Sequence, residues 1–395
     1  MAEISKKPVS DFDAAVRLLS GGTNVAIYND LGMPSIYVRR DKGAISDVID
    51  GGPDTTHYAF KVNGVEIPAF YMGKYKATVY KGRALSLPLQ DPAASSVATA
   101  DRGSATSNYV NFNNAKIWCE ANGAGFHLPT IAEYAWIALL SRKNGTMPHG
   151  NNYYGVDTSY KYEKGVGSYF DGDGKICRTL TGSGPATWND NWQPDGICDL
   201  NGNVYEWQGG YRTVDGELQI FADNDAAMQY EQNPESTLWK AILQDGTLVE
   251  PGTAGSLKWD YTQDPGTASA GIPFGLNTKL TYQQTADAPY GAMSFASLTA
   301  ADGVIVPDRL KALALMPDGT GVSYGGDYAY MRNIGERLVC RGGAWSGGGF
   351  AGVFYARGRH PRSNYRTYIG FRLTPGAYNL EAIWQSLYFS RRSAA

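Results

Sequence analysis

The chain has 395 residues and a formal net charge of −3; 43% of its residues are hydrophobic and 18% are charged. That apolar content allows a large core and excludes global disorder. The charge balance excludes a general nucleic-acid binder, which needs clustered Lys and Arg, and no apolar run approaches the ~18 residues of a membrane span.

Ser10 with Asp13 three residues on resembles a helix start. Phe12, Ala15, Val16 and Leu19 follow at helical spacing, and Gly21–Gly22 ends the helix. Asn24–Tyr28 and Ser35–Arg40 flank a turn-rich DLGMP and predict a hairpin. Gly43–Asp54 reads as a linker, so residues 1–50 are expected to form a small N-terminal module. The opening MAEISKKPVSDFDAAVRLLSGG lacks the apolar core of a secretory signal. Synthesis in the cytoplasm without a signal peptide is the expectation, with any work outside the cell done as part of a particle. His57–Tyr80 carries strand patterns around an Asn63–Gly64 hairpin turn. Phe112, Ala115 and Cys119 mark a helix face that Gly123 ends. A stronger helix follows, with Thr130 and Glu133 as a capping box. Ile131, Tyr134, Ala135, Ala138 and Leu139 form its apolar stripe, Arg142 and Lys143 suit its C-terminal dipole, and Gly145 stops it.

Residues 144–192 are rich in Gly, Asn, Asp and Tyr and read as long loops. Asp171 and Asp173 begin like a calcium loop, but its twelfth position is Gly182, so a Gly/Asp turn is expected. From Gly209 to Arg332 the chain reads as a loop-rich insertion. Leu218–Asp223 and Ser236–Leu243 are its ordered pieces and Gly252–Pro273 an excursion. It is expected to border a binding surface or an oligomer contact. After Thr374 a helix-like tail (376–395) places Leu380, Ile383, Trp384 and Leu387 on one face. Cys119, Cys177, Cys198 and Cys340 fit no zinc template. They read as buried free thiols, with a Cys177–Cys198 bridge as the alternative. His57, His127, His149 and His360 sit in no catalytic motif and read as structural or surface residues; only His360 lies among candidate ligand contacts.

The stretch Cys340–Arg372 has the most unusual composition. Arg341, Arg357, Arg359, Arg362, Arg366 and Arg372 put six guanidiniums in it, with no Asp, Glu or Lys. Tyr and Arg dominate binding hot spots. Gly342, Gly343, Trp345, Val353, Pro361, Ile369, Gly370 and Phe371 read as structural, with GGAW and IGFRL as core strands. The residues between them share no helical or strand period and read as a presented surface. Ala, Ser, Gly, Phe, Arg, His, Tyr and Thr are all reachable from an AAC codon by changing its adenines. Lys, Glu, Gln and Met are not, and none occurs between Ala344 and Tyr368. Adenine-directed mutagenesis would leave that absence.

The frame RGGAW…R…PRSN…IGFRL resembles the variable region of proteins diversified by retroelements. Upstream, GFHLPTIAEYAWIAL (Gly125–Leu139) and DLNGNVYEW (Asp199–Trp207) resemble two signatures of the formylglycine-generating-enzyme branch of the C-type lectin fold. The resemblance covers about Tyr58–Trp207 and Asn333–Thr374, in the family's order. It implies an α+β, C-type lectin-like domain over residues 54–375, with FYMGKYKAT as its opening strand. The insertion would span about 209–332 and the variable region about 340–372.

Formylglycine-generating enzymes need a copper-binding cysteine pair in the segment matching Trp345–Arg359, and this chain has no Cys there. No catalytic residue, no enzyme activity and no cofactor are therefore expected; an oxidoreductase of that type, or a relative with lost chemistry, is the alternative. The same branch implies calcium ligands from Asn201, Asn203 and Glu206, while the residues alone read as an Asn-Gly turn leading into a Trp207 core. The implied function is a retroelement-diversified ligand-binding protein, a phage or prophage receptor binder on a virion tail or a protein of a cell surface. The ligand-binding set is Ala344, Ser346, Gly347, Gly349, Phe350, Arg357, Arg359, His360, Tyr365, Arg366 and Tyr368. An acidic or aromatic-bearing protein or cell-surface ligand suits these cations, and a protein is favoured over a sugar. Monomer and trimer stay open.

Overall fold

The computed structural model describes residues 11–95 and 109–376. Ser10 and the tail 377–395, with Leu380, Ile383, Trp384 and Leu387, lie outside them. The first helix, α1, spans Asp11–Leu19. Gly21 and Gly22 have positive φ, and the Gly22 N–H donates to the Arg17 carbonyl at 2.8 Å. The expected apolar stripe does not seat the helix, because Phe12 and Leu19 are exposed. Asp13 turns inward instead and accepts from the Ala26 N–H at 2.8 Å. A side chain-to-backbone bond thus anchors a helix that its apolar residues leave in solvent.

Strands Asn24–Tyr28 and Pro34–Asp41 form the expected hairpin. The second also pairs with Ala69–Gly73, so the N-terminal residues share a three-stranded sheet with the body of the protein. The expected linker is a short helix, α2 (Ile45–Val48), whose Ile45 and Val48, with Ile49, are buried in the largest core cluster. Asp47 caps it by accepting from the Ala44 N–H at 2.7 Å.

Helix α3 (Phe112–Glu120) buries Phe112, Ala115 and Cys119 and is capped by Asn111. Helix α4 (Ile131–Lys143) has the predicted box in both directions: Glu133 N–H to Thr130 Oγ1 at 3.1 Å, and Thr130 N–H to Glu133 Oε2 at 3.0 Å. It is buried on almost every side rather than along one stripe, since α2, the strand Tyr205–Val214 and α5 (Asp308–Ala312) all pack on it.

Most of the rest is sheet, which makes the fold α+β. Its main sheet joins eleven strands among the described residues. One path runs through Leu248–Val249, Lys240–Ile242, Glu217–Ile220, Tyr205–Val214, Glu336–Arg341, Ala356–His360, Tyr328–Met331 and Gly291–Ser294. Lys258–Tyr261, Phe274–Asn277 and Ile369–Gly370 attach beside it. Most of these strands come from the expected loop-rich insertion, which is therefore corrected to a sheet extension. Even the expected excursion holds the strand Lys258–Tyr261, which pairs with both Glu217–Ile220 and Phe274–Asn277. The long strand Tyr205–Val214 shifts register against Glu336–Arg341 between Trp207 and Arg212, where Gly210 takes φ +77°. This bulge re-aims the strand as it leaves the Trp207 core. The four cysteines are buried and free, so Cys177 and Cys198 form no bridge. Among the described residues no helix is long and apolar enough to cross a membrane.

Candidate functional site

The stretch Cys340–Arg372 hangs on backbone bonds. Glu336–Arg341 lies between Tyr205–Val214 and Ala356–His360. Ala356–His360 is a strand that the lack of a visible period concealed; it runs parallel to Tyr328–Met331, with Tyr330 opposite Arg357. GGAW, by contrast, forms a turn rather than a core strand, and only Ile369–Gly370 of IGFRL is strand. Four main-chain bonds staple the intervening loop to the scaffold. Gly202 N–H reaches Gly342 O (2.8 Å) and Trp345 N–H reaches Asn203 O (3.2 Å). Tyr154 N–H reaches Trp345 O (2.8 Å) and Gly348 N–H reaches Asn152 O (2.9 Å). Further on, Ser95 N–H donates to Arg366 O (3.2 Å) and Tyr205 N–H to Tyr368 O (2.8 Å). None of these bonds uses a side chain of the stretch.

Three of the six arginines are structural. Arg341 is fully buried and donates to the carbonyls of Leu313, Ala314 and Phe354; burial lowers its guanidinium to about 10. Arg362 grips Glu336 with two 2.6 Å bonds and also reaches the Gln232 carbonyl. Arg372 is fully buried against Glu206. Arg357, Arg359 and Arg366 remain at the surface, the first two half-buried.

Arg357 and Arg359 project from the same side of their strand onto a floor of tyrosines. Arg357 Nη1 donates to Tyr205 Oη at 2.6 Å and to Tyr355 Oη at 3.1 Å. The Tyr205 and Tyr355 rings stack 5.2 Å apart, with Tyr368 edge-on to Tyr205 at 5.5 Å. Arg359 lies 3.8 Å over the Tyr290 ring and 5.5 Å from that of Tyr330. Phe350, half-exposed, packs 4.2 Å from Tyr328, which neighbours Tyr330. The Nε–H groups of Arg357 and Arg359 have no acceptor among the described residues.

Other expected positions divide by environment. Ser346, Gly349 and Arg366 are exposed, and a Cβ added at Gly349 meets open space. Tyr365 is exposed and stacks on Tyr109 at 4.0 Å. Tyr368 is half-buried, edge-on to Trp345. Ala344 and His360 are buried and do not belong to the presented set. Ala344 packs in the core beside Trp207 and Phe371. His360 lies edge-on to Trp207 at 6.3 Å; burial, then the charges of Arg357, Arg359, Arg366 and Arg332, hold its imidazole well below the usual histidine range. Gly347 is also constrained, because a Cβ there comes within 2.9 Å of the Ala351 Cβ.

Tyr205, Tyr290, Tyr328 and Tyr330 lie outside the predicted set. The Tyr-Ala-Tyr-Met alternation of 328–331 was the available sign: Ala329 and Met331 enter the core, leaving both tyrosines on the other face.

The three candidate calcium ligands make bonds within the protein. Asn201 donates to Pro148 O at 3.0 Å. Asn203 bridges Thr179 through its N–H and its carbonyl, each at 3.0 Å. Glu206 is fully buried, with both oxygens taken by Lys76 (2.5 Å) and Arg372 (2.9 and 3.0 Å). The motif DLNGNVYEW thus holds the loops that staple the stretch Cys340–Arg372. Asp171 accepts from the N–H groups of Asp173 and Lys175, as a Gly/Asp turn does.

No protein-family model matches the sequence, and no curated protein does. Among solved structures, the chain is similar to the P3c variant of the Major Tropism Determinant at 13% identity, over 89% of this chain and 72% of that one, with a TM-score of 0.30. The U1 variant gives 12% identity over 90% and 72%, with a TM-score of 0.31. Treponema denticola variable protein 1 gives 14% identity over 89% and 98%, with a TM-score of 0.30. Similarity at this level assigns neither fold family nor function, which rest on the residues themselves.

Proposed function

We propose that the protein is a retroelement-diversified ligand-binding protein, a phage or prophage receptor binder with a C-type lectin-like scaffold of the formylglycine-generating-enzyme branch. One observation carries the reading. Contacts run without a break from Phe350 through Tyr328, Tyr330, Arg357 and Tyr205 to Tyr368, over a backbone held by bonds that ignore side-chain identity. Side chains on such a frame change without unmaking it. The absence of Lys, Glu, Gln and Met from Ala344 to Tyr368 fits filling through adenines of AAC codons.

The contact set of this reading is Ser346, Gly349, Phe350, Arg357, Arg359, Tyr365, Arg366 and Tyr368, on a fixed floor of Tyr205, Tyr290, Tyr328 and Tyr330. Planar guanidiniums over tyrosine rings favour an acidic protein or cell-surface group. The competing oxidoreductase reading needs a reactive thiolate, but burial raises the Cys340 thiol well above its ordinary value, which works against thiolate chemistry.

Sequencing the flanking DNA tests the proposal. It expects a reverse-transcriptase gene and a near-copy of the Cys340–Arg372 coding segment that differs mainly at adenines. A flank without either defeats the retroelement reading. Copper-dependent oxidation of a cysteine peptide by the purified chain would defeat the binding reading.

A further inference from the structure

A cavity of about 320 Å³ opens beside the first turn of α4. None of the tyrosines or arginines of the Arg–Tyr face lines it. Val62, Ile67, Phe70, Ala227 and Met228 give it an apolar wall. The first three belong to the largest core cluster, and Met228 packs against that cluster.

The polar side chains on the wall bond within the protein. His127 Nε2 lies 3.0 Å from Glu133, which also accepts from the Thr130 N–H and from Asn224 Nδ2. Gln229 Nε2 donates to the carbonyls of Gly123 and Phe126, and Tyr230 Oη donates to Asn63 Oδ1. An apolar occupant suits such a wall, because a charged or strongly polar one would lose its water without finding partners.

The chain itself runs to the rim. Thr374 exchanges two main-chain bonds with His127, at 2.8 and 3.0 Å, in an antiparallel bridge. Pro375 and Gly376 then line the cavity. Gly376 lies so close to Gly125 that an added Cβ would come within 2.8 Å of the Gly125 carbonyl oxygen. Residues 377–395 continue from this point, outside the described residues. Their sequence places Leu380, Ile383, Trp384 and Leu387 at i, i+3, i+4 and i+7, the anchor spacing of a helix that lies in an apolar groove. Glu381 is the only charge before Arg391. Trp384 is eight residues beyond Gly376, and a helix rising ~1.5 Å per residue covers that in about 12 Å. We propose that residues 377–395 dock on this cavity as an amphipathic helix, with the Trp384 ring inserted against Ala227 and Met228. Methionine adapts its shape to a large ring. Thr374 closely follows the strand Ile369–Gly370, so a docked tail clamps the end of the stretch Cys340–Arg372 against the start of α4. The inference does not rest on the retroelement reading.

The test places a photo-crosslinker in the full chain as Trp384→p-benzoylphenylalanine, which keeps a large aromatic side chain at that position. After irradiation, mass spectrometry should find the cross-link within one chain, on residues 62–70 or 224–230. In a second measurement, Trp384→Ala should speed hydrogen exchange of the amides in those two segments several-fold relative to wild type, while exchange in the strand Glu336–Arg341 stays unchanged. The proposal is overturned if the cross-links fall elsewhere on the chain. It is also overturned if they join two chains, which would make a second copy the occupant, or if exchange in both segments is the same in Trp384→Ala as in wild type.

Discussion

The scaffold beneath the stretch Cys340–Arg372 depends on Glu206. Its carboxylate lies between Lys76 and Arg372, and all three side chains have 0% exposure. Glu206→Gln keeps the shape but removes the carboxylate that both buried cations touch, leaving near them only Asp199, which makes no ion pair with either. Removing one member of a buried ion set costs about 3–5 kcal/mol. With an unfolding entropy of about 2.1 cal/mol/K per residue over 395 residues, this corresponds to a melting temperature lower by about 4–6 °C. Burial opposes the Glu206 charge, but Arg372 and Lys76 outweigh it and hold the carboxyl below its ordinary value. Lys76 is itself held low, because burial exceeds the pull of Glu206 and Arg372 adds repulsion. A carboxyl lowered in the folded state stabilises fully above its ordinary value of 4.5 and loses that contribution as pH falls through the folded-state value. The gap between wild type and Glu206→Gln in thermal melts should therefore be full at pH 7 and shrink below about pH 4.5. An unchanged melting temperature at pH 7 would refute the argument. A calcium-induced rise in the wild-type melting temperature would restore a metal role for Glu206.

Tyr365→Ala and Arg366→Ala should each stay within about 0.5 kcal/mol of wild type in urea unfolding, whereas Tyr368→Ala, which empties the space between Trp345 and Tyr205, should cost about 1–3 kcal/mol. Equal effects at all three would put Tyr368 outside the packing. Gly352→Ala places a Cβ 2.1 Å from Asp327 Oδ1 and disturbs the carboxylate that accepts from the Phe354 N–H; a loss of about 1–3 kcal/mol is expected by the same unfolding assay. Burial disfavours the His127 imidazolium, but Glu133, 3.0 Å away, outweighs it and raises the pKa above the ordinary 6.5. That stabilisation is present below 6.5 and lost as pH rises through the folded value, so His127→Gln should be more destabilising at pH 6 than at pH 9.

The sequence revealed what local chemistry decides. The Thr130–Glu133 box, the Asn63–Gly64 turn and the buried face of α3 each depend on neighbours within a few residues, and each forms as expected. The insertion was illegible because its strands are two to four residues long and several find partners tens of residues away, as Gly291–Ser294 does with Tyr328–Met331. The arginines show the same limit more sharply. Arg341, Arg372 and Arg357 sit in one Gly-rich stretch and look alike along it. Their roles separate only through groups distant in sequence: the carbonyls of Leu313 and Ala314 for the first, Glu206 for the second, and the Tyr205 hydroxyl for the third. The strand Ala356–His360 then orders the surface. Its alternation turns Arg357 and Arg359 to the tyrosine floor, while Ala356 packs against the core and Gly358 lies close to the Tyr330 carbonyl. Positions 357 and 359 can therefore exchange one large side chain for another at little cost, whereas a side chain at 358 would press on the backbone of the neighbouring strand. Tolerance of substitution at this face is set by the pleat of a single strand, which separates the positions that face the tyrosines from those that face the neighbouring backbone.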